Sequence, residues 1–120
     1  MSTRLNVTLD CTDPAGLAAF WAAALGYEDG GRHGEFWPLF PPDETEPMIV
    51  LQEVTEAKAG KNRMHLDVHV EDLAAEVVRL EGLGARRVAR ELIDGHGHTW
   101  FVLADPEGNE FCLVQRPSAE

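Results

Sequence analysis

One segment of this chain is written twice. Val7-Thr8-Leu9-Asp10-Cys11-Thr12-Asp13 leads into a helix-like stretch that ends at Leu25-Gly26. Leu66-Asp67-Val68-His69-Val70-Glu71-Asp72 leads into a second that ends at Leu83-Gly84. The offset is 59 positions from Asp13 to Asp72 and 58 from Gly26 to Gly84. An internal repeat of this period restricts the fold to two copies of one supersecondary unit. It also allows the copies to be compared position by position, and at one position they disagree in chemistry: His65 aligns with Asn6.

Within the first copy, Leu5, Val7 and Leu9 alternate with Asn6, Thr8 and Asp10, the period of a half-buried strand. Asp13-Pro14 reads as an N-cap with proline at the first helical position, and Gly26 as the stop. Leu17, Phe20, Trp21, Ala24 and Leu25 form the apolar stripe between them. A hairpin-like segment turns through Gly30-Gly31 and His33-Gly34 into Glu35 to Leu39. Pro41, Pro42 and Pro47 then punctuate a loop before the strand Met48 to Leu51. The second copy predicts a strand to Val70, a helix from about Asp72 to Leu83 with Leu73, Val77 and Leu80 inward, and strands near 85–91, 99–104 and 110–115. Asp105-Pro106-Glu107-Gly108-Asn109 reads as the turn before the last of these. Each copy is therefore β-α-β-β-β and the fold class is α+β. Module one spans about residues 1–53, a polar linker about 54–62, and module two about 63–120.

Strand parity divides the two faces of each sheet. Leu66, Val68 and Val70 suit the helix side, which leaves His65, Asp67 and His69 on the other face. In the last strand Phe111 and Leu113 pack behind, while Glu110, Cys112 and Val114 face a cleft. Such a polar lining marks a ligand site. Arg63 shares the parity of His65 and is the candidate for holding an anionic ligand, with an internal salt bridge as its structural alternative. Asn6 and Thr8 occupy the cleft face of the first strand. Of Phe36 and Trp37, and of Trp100 and Phe101, alternation sends one of each pair inward; an inward Trp37 or Trp100 would suit a planar ligand, and core packing is the other fate of such residues. His33, His96 and His98 flank turn glycines and read as solvated.

The charge balance narrows the partners. Ten basic residues against 21 acidic ones give a formal charge of −11, which argues against a nucleic-acid partner, since that needs a positive stripe. No apolar run approaches the length of a membrane span, and no apolar segment follows Met1-Ser2-Thr3-Arg4, so a cytoplasmic protein without a signal peptide is expected. Cys11 and Cys112 read as reduced, buried thiols.

Paired β-α-β-β-β modules resemble the vicinal oxygen chelate superfamily, which includes glyoxalase I, extradiol dioxygenases and bleomycin-resistance proteins. Leu17-Ala18-Ala19-Phe20-Trp21 with Leu25-Gly26-Tyr27, Lys61-Asn62-Arg63-Met64-His65-Leu66-Asp67 and Asp105 to Cys112 look like its glyoxalase-like branch. The resemblance implies two tandem modules forming a curved mixed sheet around a cleft, and a possible homodimer. It also implies a divalent metal held by one residue from the first and one from the last strand of each module. His65 and Glu110 match in module two, with Asp67 or His69 as a further ligand. Module one holds Asn6 and, in a 63-residue register that aligns Gln52 with Gln115, Pro47 or Met48. Neither replacement suits zinc or iron. Two functions follow from the likeness. One is a lyase, isomerase or dioxygenase acting on a small oxygenated metabolite, with His65 and Glu110 as ligands or as an acid/base pair. The other is a non-enzymatic, drug-sequestering binder. The polar strand favours the first and the dismantled first-module pair the second.

Overall fold

A computed structural model describes residues 5–62, 64–89, 92–95 and 98–116, the side chain of His98 excepted. The chain divides into two compact units, Met1–Lys58 and Ala59–Glu120.

In the first unit, strand β1 (Asn6–Cys11) leads to helix α1 (Pro14–Leu25), followed by β2 (Glu28–Asp29), β3 (Phe36–Phe40) and β4 (Met48–Glu53). The sheet order is β1-β4-β3-β2, with β1 parallel to β4 and the remaining pairs antiparallel. The helix boundaries are set locally. Asp13 Oδ1 accepts from the Gly16 amide at 3.2 Å, Pro14 occupies the first turn, and Gly26 closes the helix at φ 70°, a conformation glycine adopts without steric cost. Leu17, Phe20 and Trp21 on α1 are buried, as are Leu39, Ile49 and Leu51 on the strands it packs against. Phe20 meets Trp21 edge to face, with centroids 5.1 Å apart. Ala24 and Leu25 are half-buried. Leu5, expected on the inward face, is 75% exposed, because it lies ahead of the β1–β4 ladder, which starts at Asn6.

The second unit repeats the plan with β5 (Leu66–Val70), α2 (Leu73–Leu83), β6 (Arg86–Arg87), β7 (Ile93–Gly95), β8 (His98–Ala104) and β9 (Glu110–Gln115). Its order is β5-β9-β8-β6, and β5 runs parallel to β9. Asp72 caps α2 through the Ala75 amide, Gly84 ends it, and Leu73, Val77 and Leu80 are buried as expected. The strand expected over 85–91 is shorter and is joined by a further one. β6 pairs with the C-terminal end of β8, and β7 pairs with its N-terminal end. The long β8 thus carries two short partners along one edge. Gln115 ties the end of β9 to the start of α2: its Oε1 accepts from the Leu73 amide at 2.9 Å and its Nε2 donates to the Glu71 carbonyl at 2.7 Å.

Both units are β-α-β-β-β in plan, with β7 added to the second, and the α+β class with two mixed sheets is as the repeat predicted. Among the described residues no helix is long and apolar enough to cross a membrane.

Candidate functional site

In the parallel ladder of the second unit Leu66 stands opposite Phe111, Asp67 opposite Cys112, Val68 opposite Leu113 and His69 opposite Val114. Phe111 and Leu113 are buried. The intervening residues, His65, Asp67 and His69 on β5 and its approach, and Glu110, Cys112 and Val114 on β9, line a pocket of about 460 Å³. Its apolar side is completed by Trp100 and Val102 on β8, and Lys61 reaches it from ahead of β5. Alternation along two neighbouring strands thus separates an apolar layer from a chemically mixed face.

The electrostatics of this face are uneven. Lys61 Nζ lies 3.7 Å from Glu110 Oε1, a pair in which the lysine is largely solvated and the carboxylate mostly covered. Burial pushes the Cys112 thiol above its ordinary range; the charge of Asp67, the hydrogen bond to Asp67 and the charge of Glu110 add to this, and Lys61 opposes it. Cys112 is therefore held as a thiol that donates to a carboxylate. Among the described residues one group of three metal-ligating side chains meets closely: a nitrogen of His65, a carboxylate oxygen of Asp67 and Cys112 Sγ all lie within 4.8 Å of one another.

The first unit was expected to contribute Asn6, Thr8 and Trp37. Asn6 pairs with Met48 and Thr8 with Val50, and both polar residues are exposed on β1. Asn6 and Met48 border a hollow of about 620 Å³ with Phe40 and the 41–47 loop. Trp37 pairs with buried Leu51 and so projects from the helix-bearing face. There its indole N–H donates to Asp29 Oδ1, and the Arg32 guanidinium lies 5.7 Å from the ring centroid. Of the pair Phe36 and Trp37, Phe36 therefore has the opposite parity. In the second unit the parity is reversed: Trp100 pairs with Val114 and lines the pocket, whereas Phe101 pairs with Leu113 on the helix side and receives Arg87 at 4.9 Å. His33 is fixed in its turn by a 3.1 Å contact between Nε2 and the Gly30 carbonyl. Arg63 and His96 lie outside the described residues.

The ladders also correct the alignment of the two copies. Val7 opposes Ile49, and Leu66 opposes Phe111. With Val7 matched to Leu66, Ile49 matches Phe111, so the last strands differ by 62 positions rather than 63. Met48, not Pro47, is then the counterpart of Glu110. A match of like residues, Gln52 with Gln115, had suggested the other register; the alternation of buried residues decides it. In this register the counterparts of His65, Asp67, Cys112 and Glu110 are Asn6, Thr8, Val50 and Met48. A four-residue metal set drawn equally from both modules is therefore not supplied by this chain, since an amide and a thioether replace two strong ligands.

Lys61 and Val102 line the pocket without having been singled out from the sequence. Lys61 fell in the segment assigned as linker, although the second unit begins at Ala59. Cys112 was placed on the cleft face by its parity with Glu110 and otherwise read as a reduced, buried thiol; it is half-buried, and its approach to His65 and Asp67 was not foreseen.

The profile of the glyoxalase-like domain family matches residues 6–114. None of the curated proteins matches the sequence. Among solved structures, a glyoxalase/bleomycin resistance protein/dioxygenase family enzyme from Burkholderia phytofirmans is 19% identical, with a TM-score of 0.76 over 92% of this chain and 95% of that one. A fosfomycin resistance protein from Mesorhizobium loti is 12% identical, with a TM-score of 0.74 over 98% and 94%. A bleomycin resistance determinant encoded on the transposon Tn5 is 19% identical, with a TM-score of 0.70 over 98% and 100%. At these identities the likeness is one of fold, which hosts several chemistries. The family profile spans both modules, and the chain belongs to the glyoxalase-like domain family.

Proposed function

We propose that this protein binds a small oxygenated organic molecule in the pocket of its second module and acts by sequestering it. The observation that carries this reading is the pocket itself. About 460 Å³ lies within the range of small-molecule sites, and an apolar side of Trp100, Val102 and Val114 faces the polar groups His65, Asp67, His69 and Glu110. Trp100 offers the planar surface against which an apolar ligand body stacks, and the polar groups orient its oxygens. Loss of the first-module pair, now Asn6 and Met48, supports sequestration over metal-dependent turnover of the glyoxalase kind. The resistance proteins that share the fold make bleomycin and fosfomycin the first compounds to try.

A second reading, catalysis by His65 and Glu110 as an acid/base pair, is favoured by both residues lining one pocket. Calorimetric titration with each compound, followed by recovery and mass analysis of the bound molecule, separates the two. Sequestration predicts saturable binding, weakened by Trp100→Ala, with the ligand recovered unchanged. Recovery of a chemically altered ligand, with alteration but not binding lost in Glu110→Gln, would establish the enzyme reading instead.

A further inference from the structure

The same face carries a second arrangement that needs no contribution from the first module. Asp67 and Cys112 are cross-strand partners in the β5–β9 ladder, and His65 lies two residues before Asp67 on the same face. Side chains so placed converge, and the three donor atoms lie within 4.8 Å of one another. Ligands around one zinc-sized ion stand about 3.3–3.6 Å apart, so binding draws the three donor atoms closer by torsional adjustment of their side chains. His65 and Asp67 are exposed and Cys112 is half-buried, which leaves the side chains room to adjust.

We infer that His65, Asp67 and Cys112 form a single-module binding site for one borderline-soft divalent cation, zinc or a first-row relative of similar preference. The thiolate and imidazole select against magnesium and calcium, which prefer oxygen ligands throughout. Binding replaces the Cys112 thiol proton, which passes to solvent, and turns Asp67 from a hydrogen-bond acceptor for that thiol into a ligand. Three protein ligands leave a fourth position on the pocket side, open to water or to an oxygen of a bound molecule. The site differs from the pair His65 and Glu110 in drawing two of its ligands from the middle of the strands. The first module does not repeat it, since the matching positions there are Asn6, Thr8 and Val50. It stands whether or not the pocket also takes an organic ligand.

The test is titration of the full, tag-free, reduced protein with cobalt(II), followed by competition with zinc. One equivalent is expected to produce a near-ultraviolet thiolate-to-cobalt charge-transfer band, displaced by zinc and unaffected by excess magnesium. Cys112→Ser should abolish the band and weaken zinc binding by more than about 100-fold, the upper end of what losing a mere supporting partner costs. Asp67→Asn should weaken binding, whereas Cys11→Ser and Glu110→Gln should leave the band in place. Circular dichroism and thermal unfolding of each variant establish that it is folded, and Cys112→Ala serves if the serine variant is not. Absence of the band, its persistence in Cys112→Ser, or binding lost in Glu110→Gln yet kept in Cys112→Ser would overturn the assignment. None of these readouts depends on an organic ligand.

Discussion

Removing the carboxylate of Asp105 should be among the most damaging single polar changes in the second module. Asp105 is only 1% exposed and sits at the head of the turn that joins β8 to β9. Its Oδ1 accepts from the Glu107 amide at 2.9 Å, the Asn109 amide at 2.9 Å and Asn109 Nδ2 at 3.1 Å, while Oδ2 accepts from the same Nδ2 at 3.0 Å. The Glu107 amide is only partly buried and can turn to water. The Asn109 amide and side chain are buried and cannot. Each buried donor left without an acceptor costs about 1–3 kcal/mol, so Asp105→Ala should destabilise by roughly 2–5 kcal/mol. A domain of this size is stable by about 5–15 kcal/mol. With a urea slope of about 1–3 kcal/mol per molar, the midpoint should fall by on the order of 1–3 M. Asp105→Asn keeps one oxygen for the amides and opposes its own amide nitrogen to that of Asn109; it should recover at least about 1 kcal/mol of the loss. Because this turn sets where β9 begins, a ligand or metal bound at Glu110 or Cys112 should also weaken in the alanine variant. Unfolding free energies from urea denaturation for the two variants lying within about 0.5 kcal/mol of the parent would refute the argument, since that is the range of changes touching no such network.

Other consequences are more local. The raised Cys112 pKa predicts that alkylation by iodoacetamide rises only above the ordinary thiol range; Asp67→Asn should shift that profile to lower pH and Lys61→Ala to higher pH, read as rate against pH. A folded-state thiol pKa above the unfolded one also means that this group's stabilising contribution is complete below the unfolded value and is lost as pH climbs through the folded one, so unfolding midpoints should decline on the alkaline side less steeply in Cys112→Ala. Trp21→Ala empties a buried site in the first core and should cost about 3–5 kcal/mol in chemical denaturation. Asp72→Ala removes the α2 cap and should cost about 0.5–2 kcal/mol, detectable as a lowered unfolding temperature.

Much of the architecture was legible because it is local. An N-cap aspartate, a glycine at the helix end and an apolar stripe are signals contained within a dozen residues, and both helices follow them. The polar face of β5 was legible for the same reason, since parity along one strand needs no partner. The shortening of the strand expected over 85–91 to β6, and the further strand β7 after it, were not, because both are defined by pairing to opposite ends of β8 rather than by their own residues.

The sequence by itself determined that there are two copies of one unit, and that their chemistry differs at Asn6 and His65. Only the tertiary structure decided which residues meet. That Asp67 stands opposite Cys112, that Met48 rather than Pro47 matches Glu110, and that Trp100 faces a pocket while Trp37 does not are matters of register between strands some 40 or so residues apart or joined by a hairpin. A slip of one residue sends every side chain to the opposite face. Nothing within a single strand settles that choice; the packing of the helix against one side of the sheet does.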